Sequence, residues 1–361
     1  CSALRVLCVQ EDCADHVLTM LRGAMQELQV GRTDLLSSDV GPVIDAEARA
    51  NIQTHIQSMR DAGHRVDQLA LDTRCEHGSF VPPTIIEITD VAALKKEVFG
   101  PVLHVVRYKR EQLDALIDAI NATGYGLTFG VHTRLDETVA RVSERIHAGN
   151  IYVNRNIVGA VVGVQPFGGE GLSGTGPKAG GPLYLLRLLA TRPDELPAWC
   201  NTGNAGSAPV VLSGPTGESN IYHIKPRGTV LCVASTEAGA AIQFDACKRT
   251  GNRMALLDTG AGQVFFAART ADEKKSIRLV ANDEVEQGDY QAVLFEGDSD
   301  ALRELNQAVA QRQGPIVSVQ GLSSDELAAG QGYRLERLWR EVSVSVNTAA
   351  AGGNASLMMV G

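Results

Sequence analysis

The chain has 361 residues, enough for two domains with cores of their own, and 44% of them are hydrophobic, an ordinary share for a globular protein. Its 33 Lys and Arg against 42 Asp and Glu leave a net charge of −9, which argues against a nucleic-acid surface, because phosphate binding needs clustered cations. No run approaches the ~20 apolar residues of a membrane-spanning helix. The first residues carry no signal-peptide pattern.

Strand and helix signals alternate along the first half. Residues 4–10 read as a strand, with Val6, Leu7 and Val9 in an apolar run. Val17, Leu18, Leu21, Ala24, Met25 and Leu28 then recur at helical spacing, so a helix packs one face on that strand. A second helix is expected over 45–63, and a strand over 80–89 entered through Pro82-Pro83. A strand over 102–108, a helix over 112–121, a strand over 127–132, a helix over 136–147 and a strand over 150–154 complete the series. Such alternation predicts an α/β fold, a mostly parallel sheet covered on both faces by helices.

Pro, Gly, Asn and Ser dominate residues 193–213, which read as a linker or hairpin excursion. The alternation then restarts more weakly. Strands are expected over 228–234, 254–258, 292–295, 316–320 and 342–346, with helices over 238–250 and 299–312. Residues 214–361 thus read as a second, smaller α/β domain after a first domain over 1–192. Two stretches also echo one another, GNIYVNRNIVGAVVG (149–163) and VSVSVNTAAAGGNAS (342–356). Each has a strand, then Val-Asn, then a loop of small residues. Such punctuation recurs by chance, or the second domain is a degenerate relative of the first.

Cys1, Cys8, Cys13, Cys75, Cys200, Cys232 and Cys247 are odd in number and contain no C-x-x-C pair, so reduced thiols in a cytosolic protein are expected rather than a disulfide framework. No metal site is expected. Cys75-Glu76-His77 comes nearest to one and reads as an ordinary loop. Cys1 is either simply the first residue or a nucleophile.

The richest stretch is QPFGGEGLSGTGPKAGGPLYLLR, residues 165–187. Within it, GEGLSG (169–174) fits G-x-G-x-x-G, but Gly176-Pro177 and Gly180-Gly181-Pro182 forbid the helix which a dinucleotide fingerprint requires. The reading is a long loop whose glycines bring bare backbone close to a small ligand, with amides that can hold a carboxylate. A second stretch, KEVFGPVL (96–103), reads as a structured turn before a strand.

These pieces stand in a familiar order. CSA at the start, EVFGP at 97–101, and PFGG at 166–169 followed by Ser173-Gly174 resemble the C-terminal half of the aldehyde dehydrogenase superfamily, beginning at its catalytic cysteine. DVGPVID (39–45), FVPPTI (80–85), GYGLTFGVHT (124–133) and GNIYVNRN (149–156) fall in register with it. Residues 149–193 further resemble the dehydrogenase module of the proline utilization A family, which oxidises L-glutamate γ-semialdehyde, the open form of pyrroline-5-carboxylate, to L-glutamate with NAD. The terminal SVNTAAAGGNASLM (345–358) resembles the end of its long members, which carry an extra aldehyde-dehydrogenase-like domain. ACKRTGNRMALLD (246–258) would be a relic of the superfamily's nucleotide-domain helix and strand.

The resemblance implies roles residue by residue. Cys1 would attack the aldehyde carbon to give a thiohemiacetal, whose hydride passes to NAD, leaving a thioester that water hydrolyses. The Cys1 N–H would help to stabilise the oxyanion. Glu97 would hold the nicotinamide ribose hydroxyls, with Phe99 beside the nicotinamide. Ser2, Gly180 and Gly181 would grip the substrate α-carboxylate, with Phe167 beside them. Leu188 stands where several relatives have an aromatic residue, which puts that contact in doubt.

The family's general-base glutamate, its oxyanion-hole asparagine and its main NAD-binding domain would lie upstream of Cys1, on an N-terminal half of the same polypeptide. So would an FAD-dependent proline dehydrogenase domain and, in some members, a DNA-binding domain. The chain alone is therefore expected to be inactive and to bind NAD poorly. Further expectations are a homo-oligomeric parent in the cytoplasm, in some members peripheral at the membrane, with no nucleic-acid contact by this part. Residues 207–361 are expected to be non-catalytic, a lid and association module; a different aldehyde substrate is the alternative to glutamate semialdehyde.

Overall fold

The apolar run beginning at Val6 forms β1 (Val6–Gln10) in the computed structural model, which describes residues 2–190 and 209–349. The chain divides into two compact units, Cys1–Thr123 and Gly124–Gly361.

In the first unit, β1 pairs in parallel with β4 (Val102–Tyr108), and β4 in parallel with β3 (Thr84–Ile88). An edge strand, β2 (Arg65–Gln68), runs antiparallel to β3. The helix α1 (Glu11–Gln26) buries Ala14, Leu18 and Met25 against Val9, Ile85 and Val105 on one face of this sheet. On the other face lie Ile52 and Ile56 of α2 (Ala46–Asp61), together with half-buried Leu116, Ala119 and Ile120 of α3 (Leu113–Ala122). Asp45 starts α2 by accepting a hydrogen bond from Ala48 N at 2.7 Å, the usual way to satisfy an orphan N–H at a helix start. Strand β2 carries no apolar run. Ion pairs hold its outer residue instead, with Arg22 2.6 Å from Asp67 and 2.5 Å from Glu87.

Among its described residues, the second unit contains two five-stranded sheets. A short ladder of β5 (Tyr125–Gly126) and β8 (Glu170–Gly171) stands apart from both. The first sheet runs in the order β6 (Thr128–Val131), β7 (Asn150–Val153), β16 (Trp339–Asn347), β10 (Glu218–Pro226), β9 (Val210–Leu212). It draws on both sides of the Pro- and Gly-rich stretch at 193–213, of which 193–208 lie outside the described residues. The two echoing stretches are neighbours here. Strand β7 pairs in parallel with β16 so that Val153 meets Val346, and Asn347 Nδ2 donates to Asn154 O at 3.2 Å.

The second sheet is wholly parallel, in the order β13 (Ile277–Val280), β12 (Arg253–Leu257), β11 (Thr229–Val233), β14 (Ala292–Glu296), β15 (Ser318–Leu322). Val230, Cys232 and Met254 face one core with Phe244 of α5 (Glu237–Thr250) and Phe265 of α6 (Gly260–Ala267). Leu231, Ala255 and Val293 face the other, with Leu305 and Val309 of α7 (Ser299–Ala310). Burial of both faces explains why these strands read as continuous apolar runs. Strand order reverses between β11 and β14, which in open α/β sheets marks the usual ligand crevice.

Candidate active site

The 165–187 stretch is a folded loop held at both limbs. No helix starts within GEGLSG. Glu170 and Gly171 instead form β8, and a turn follows. Phe167 and Ala179 exchange backbone hydrogen bonds of 3.0 and 2.8 Å, which brings Phe167 next to Gly180 and Gly181. Gly180 is exposed at φ +66, a conformation that favours glycine. Its N–H has no hydrogen-bond partner among the described residues.

Buried side chains from three strands fix this shape. Asn150 of β7 donates to Pro166 O at 3.0 Å and accepts from Gly168 N at 3.1 Å. Ser343 of β16 adds a second bond to Pro166 O at 2.8 Å. Lys178 is buried, and its Nζ donates to Asn150 Oδ1 at 2.8 Å and Gly168 O at 2.5 Å, tying the two limbs together. Burial pulls the Lys178 ammonium down to about 8, against the opposing pull of Glu341 and Glu170. Glu341 of β16 accepts from Lys178 N at 2.7 Å and from the Tyr222 hydroxyl of β10 at 2.6 Å. Behind the loop lies a cavity of about 100 Å³ lined by Lys178, Arg187, Arg227, Glu336, Arg340 and Glu341.

In the first unit, Glu97 and Phe99 come together around Arg5. Arg5 Nε is 3.4 Å from Glu97 Oε1, its guanidinium carbon lies 4.4 Å from the Phe99 ring centre, and its Nη1 donates to Gly100 O at 3.0 Å. Sequence reasoning singled out Glu97 and Phe99 but missed the arginine that sets them. The Glu97 side chain is 49% exposed and Phe99 60% exposed, so a hydroxyl can reach the carboxylate and a planar ring can pack on the phenyl. These two residues fit the ribose and nicotinamide of NAD. Ser2 is half-buried; Cys1 lies outside the described residues, as does Cys200. The other five cysteines are free thiols, and burial pushes Cys8 up to about 12. Cys232 and Cys247 are buried with sulfurs 3.8 Å apart.

The crevice at the strand-order reversal is filled. Glu296, at the end of β14 and 1% exposed, accepts from Ser235 N and Thr236 N at 2.9 Å each. It also accepts from the Thr236 and Ser324 hydroxyls at 2.8 Å each. A Cβ on Gly239, in the first turn of α5, would stand 1.9 Å from Glu296 Oε2. The carboxylate thus occupies the helix start where an anion would otherwise bind.

With the loop and its anchors in place, the likeness to known proteins can be stated. Residues 1–192 match the aldehyde dehydrogenase family, and the chain belongs to it. The whole chain is 49% identical to the bifunctional protein PutA of Escherichia coli (strain K12) and covers 31% of that protein. It therefore spans about a third of the length of the curated relatives it matches along its whole length. Over 54% of its length it is 37% identical to a 1-pyrroline-5-carboxylate dehydrogenase of Bacillus mycoides (strain KBAB4), covering 38% of that protein. The solved structure of proline utilization A from Corynebacterium freiburgense covers 96% of this chain, and 35% of its own, at a TM-score of 0.67 and 23% identity; the likeness is one of fold. Among the described residues, no helix is long and apolar enough to cross a membrane.

Proposed function

We propose that this chain is the C-terminal part of a proline-catabolic polypeptide of the PutA kind and carries half of an L-glutamate γ-semialdehyde dehydrogenase site. The observation that carries this reading is the glycine loop: an exposed Gly180 N–H at positive φ, next to Phe167, on a loop bolted down from below. Backbone amides presented in this way suit a carboxylate, and a carboxylate distinguishes glutamate semialdehyde from simple aldehydes.

Cys1 is the nucleophile in this reading. Its thiolate adds to the aldehyde carbon, the carbon–hydrogen bond of the adduct breaks with its electron pair, and the resulting thioester is hydrolysed to glutamate and free thiol. NAD, when bound, would supply the acceptor for that hydride. Glu97 would accept hydrogen bonds from its ribose hydroxyls, and Phe99 would pack beside its nicotinamide. Phe167 and the Gly180 N–H hold the substrate carboxylate, while Gly181, whose own N–H donates to Lys178 O at 3.1 Å, closes the turn beneath them. Water activation belongs to residues upstream of Cys1, as does the FAD of a proline dehydrogenase domain. The parent works in the cytoplasm as an oligomer. Residues 214–349 hold the loop in shape and bind no nucleotide of their own, since Glu296 fills their crevice.

The test is Cys1→Ala in the full-length polypeptide. NADH formation from glutamate semialdehyde should fall about a thousandfold or more while the urea midpoint is unchanged. Retained turnover would show that Cys1 is not the nucleophile.

A further inference from the structure

Glu341 lies well outside residues 1–192, which match the family, yet it is built into the glycine loop. One of its oxygens takes the Lys178 N–H at 2.7 Å and the other takes the Tyr222 hydroxyl at 2.6 Å, so the carboxylate is held from opposite sides. The loop rests directly on it. A Cβ on Gly181 would stand 3.0 Å from Glu341 Oε1 and 3.0 Å from Lys178 O, a fit so tight that any side chain there would push Glu341 or the loop aside by a few tenths of an ångström. Two residues on, and so on the same face of β16, Ser343 holds the opposite limb through Pro166 O. One face of a C-terminal strand therefore sets both limbs of the loop. Lys178 turns its ammonium to the far side, toward Asn150 and Gly168, and leaves its backbone to Glu341.

We propose that Glu341, oriented by Tyr222, is a positioning residue that sets the Gly180-Gly181 backbone for a substrate carboxylate, so that the C-terminal segment tunes affinity for carboxylate-bearing aldehydes. This rests on the reading of the loop as a carboxylate holder. Glu341 touches no substrate. It acts by fixing Lys178 and giving Gly181 a floor. A loop without that floor still reaches the bound state but has more conformations to lose on binding. The effect belongs to substrate affinity and not to the reacting carbon.

The experiment uses the full-length polypeptide and two aldehydes, glutamate semialdehyde and propanal, which has no carboxylate. Glu341→Ala should raise KM for the semialdehyde about tenfold, because a loop without its floor must be ordered at the expense of binding. The kcat for the semialdehyde should stay within about twofold, and kcat/KM for propanal should not change. Tyr222→Phe should give a smaller rise of the same kind. Glu341→Gln keeps an acceptor for Lys178 N and should recover most of the affinity. Equal losses on both aldehydes, or an unchanged semialdehyde KM, would overturn the proposal by making Glu341 a purely structural residue. If Glu341→Ala does not fold, Tyr222→Phe decides: a KM rise confined to the semialdehyde supports the proposal, and an unchanged KM refutes it. A wild type that does not prefer the semialdehyde over propanal would instead refute the carboxylate-holding role itself.

Discussion

Glu296 and Glu341 are both buried carboxylates, 1% and 6% exposed, and both receive backbone N–H groups, yet their acidities move in opposite directions. Burial pushes each one up. At Glu296, hydrogen bonds from Thr236, Ser324 and Ser235 outweigh burial and hold the carboxyl below its ordinary value. At Glu341, burial wins over the bonds from Tyr222 and Lys178, and the carboxyl stays above it. Four donors stabilise a charge that two do not. The fully satisfied carboxylate closes a crevice, whereas the less satisfied one supports the 165–187 loop. A buried charge needs a complete donor set before it stabilises the fold.

Removing the plug should have the largest effect on stability. Glu296→Ala strands two N–H groups and two hydroxyls in the interior and should cost about 3–5 kcal/mol in urea unfolding, more than Glu341→Ala. A smaller cost at Glu296 than at Glu341 would break the comparison.

Next comes the sign of the pH dependence. The folded value of Glu296 lies below 4.5, so its contribution is present above 4.5 and lost as pH falls through the folded value. The folded value of Glu341 lies above 4.5, so its contribution is complete below 4.5 and lost as pH rises through the folded value. Urea midpoints of wild type minus Glu296→Gln should therefore rise as pH climbs from the folded value to 4.5 and level off above it, whereas those of wild type minus Glu341→Gln should hold steady below 4.5 and fall above it. Two difference curves of the same slope would show that the two carboxylates are not opposites.

The smallest effect sharpens the contrast. Ser324→Ala takes one donor from Glu296 and should cost about 1 kcal/mol, while moving the Glu296 titration, followed by carboxyl NMR shifts, upward toward Glu341 behaviour. An unmoved titration would mean that the donor set does not control the acidity.

Much of the fold was legible because its cores announce themselves. The helical spacing around Leu18 and the apolar runs at Val102–Tyr108 and Ala292–Glu296 mark elements that bury them. Strand β10 escaped because its buried positions include Asn220 along with Tyr222, and strand β2 because it has no apolar run. Within the candidate site, the loop was readable from its glycines and prolines, and so was the unsuitability of GEGLSG as a dinucleotide fingerprint. Its anchors were not. Glu341, Ser343 and Ser345 alternate with Val342, Val344 and Val346, a pattern that normally marks one wet face of a strand. Here the polar face is buried as well, and the loop itself covers part of it. Periodicity reports which side chains share a face, but not what lies on the other side of it. Arg5 escaped for the same reason, since nothing local ties it to a turn ending at Gly100, 95 positions further on.

The distance along the chain between the loop and its supports has a consequence for biosynthesis. Lys178 and Glu341 are 163 positions apart, and Pro166 and Ser343 are 177. At an elongation rate of roughly 5–20 residues per second, the loop leaves the ribosome about 10–30 seconds before the strand that holds it in shape. Until then β7 has no partner on its β16 side, and Lys178 N lacks its Glu341 acceptor. The chain must keep an exposed strand edge free of other partners for that interval.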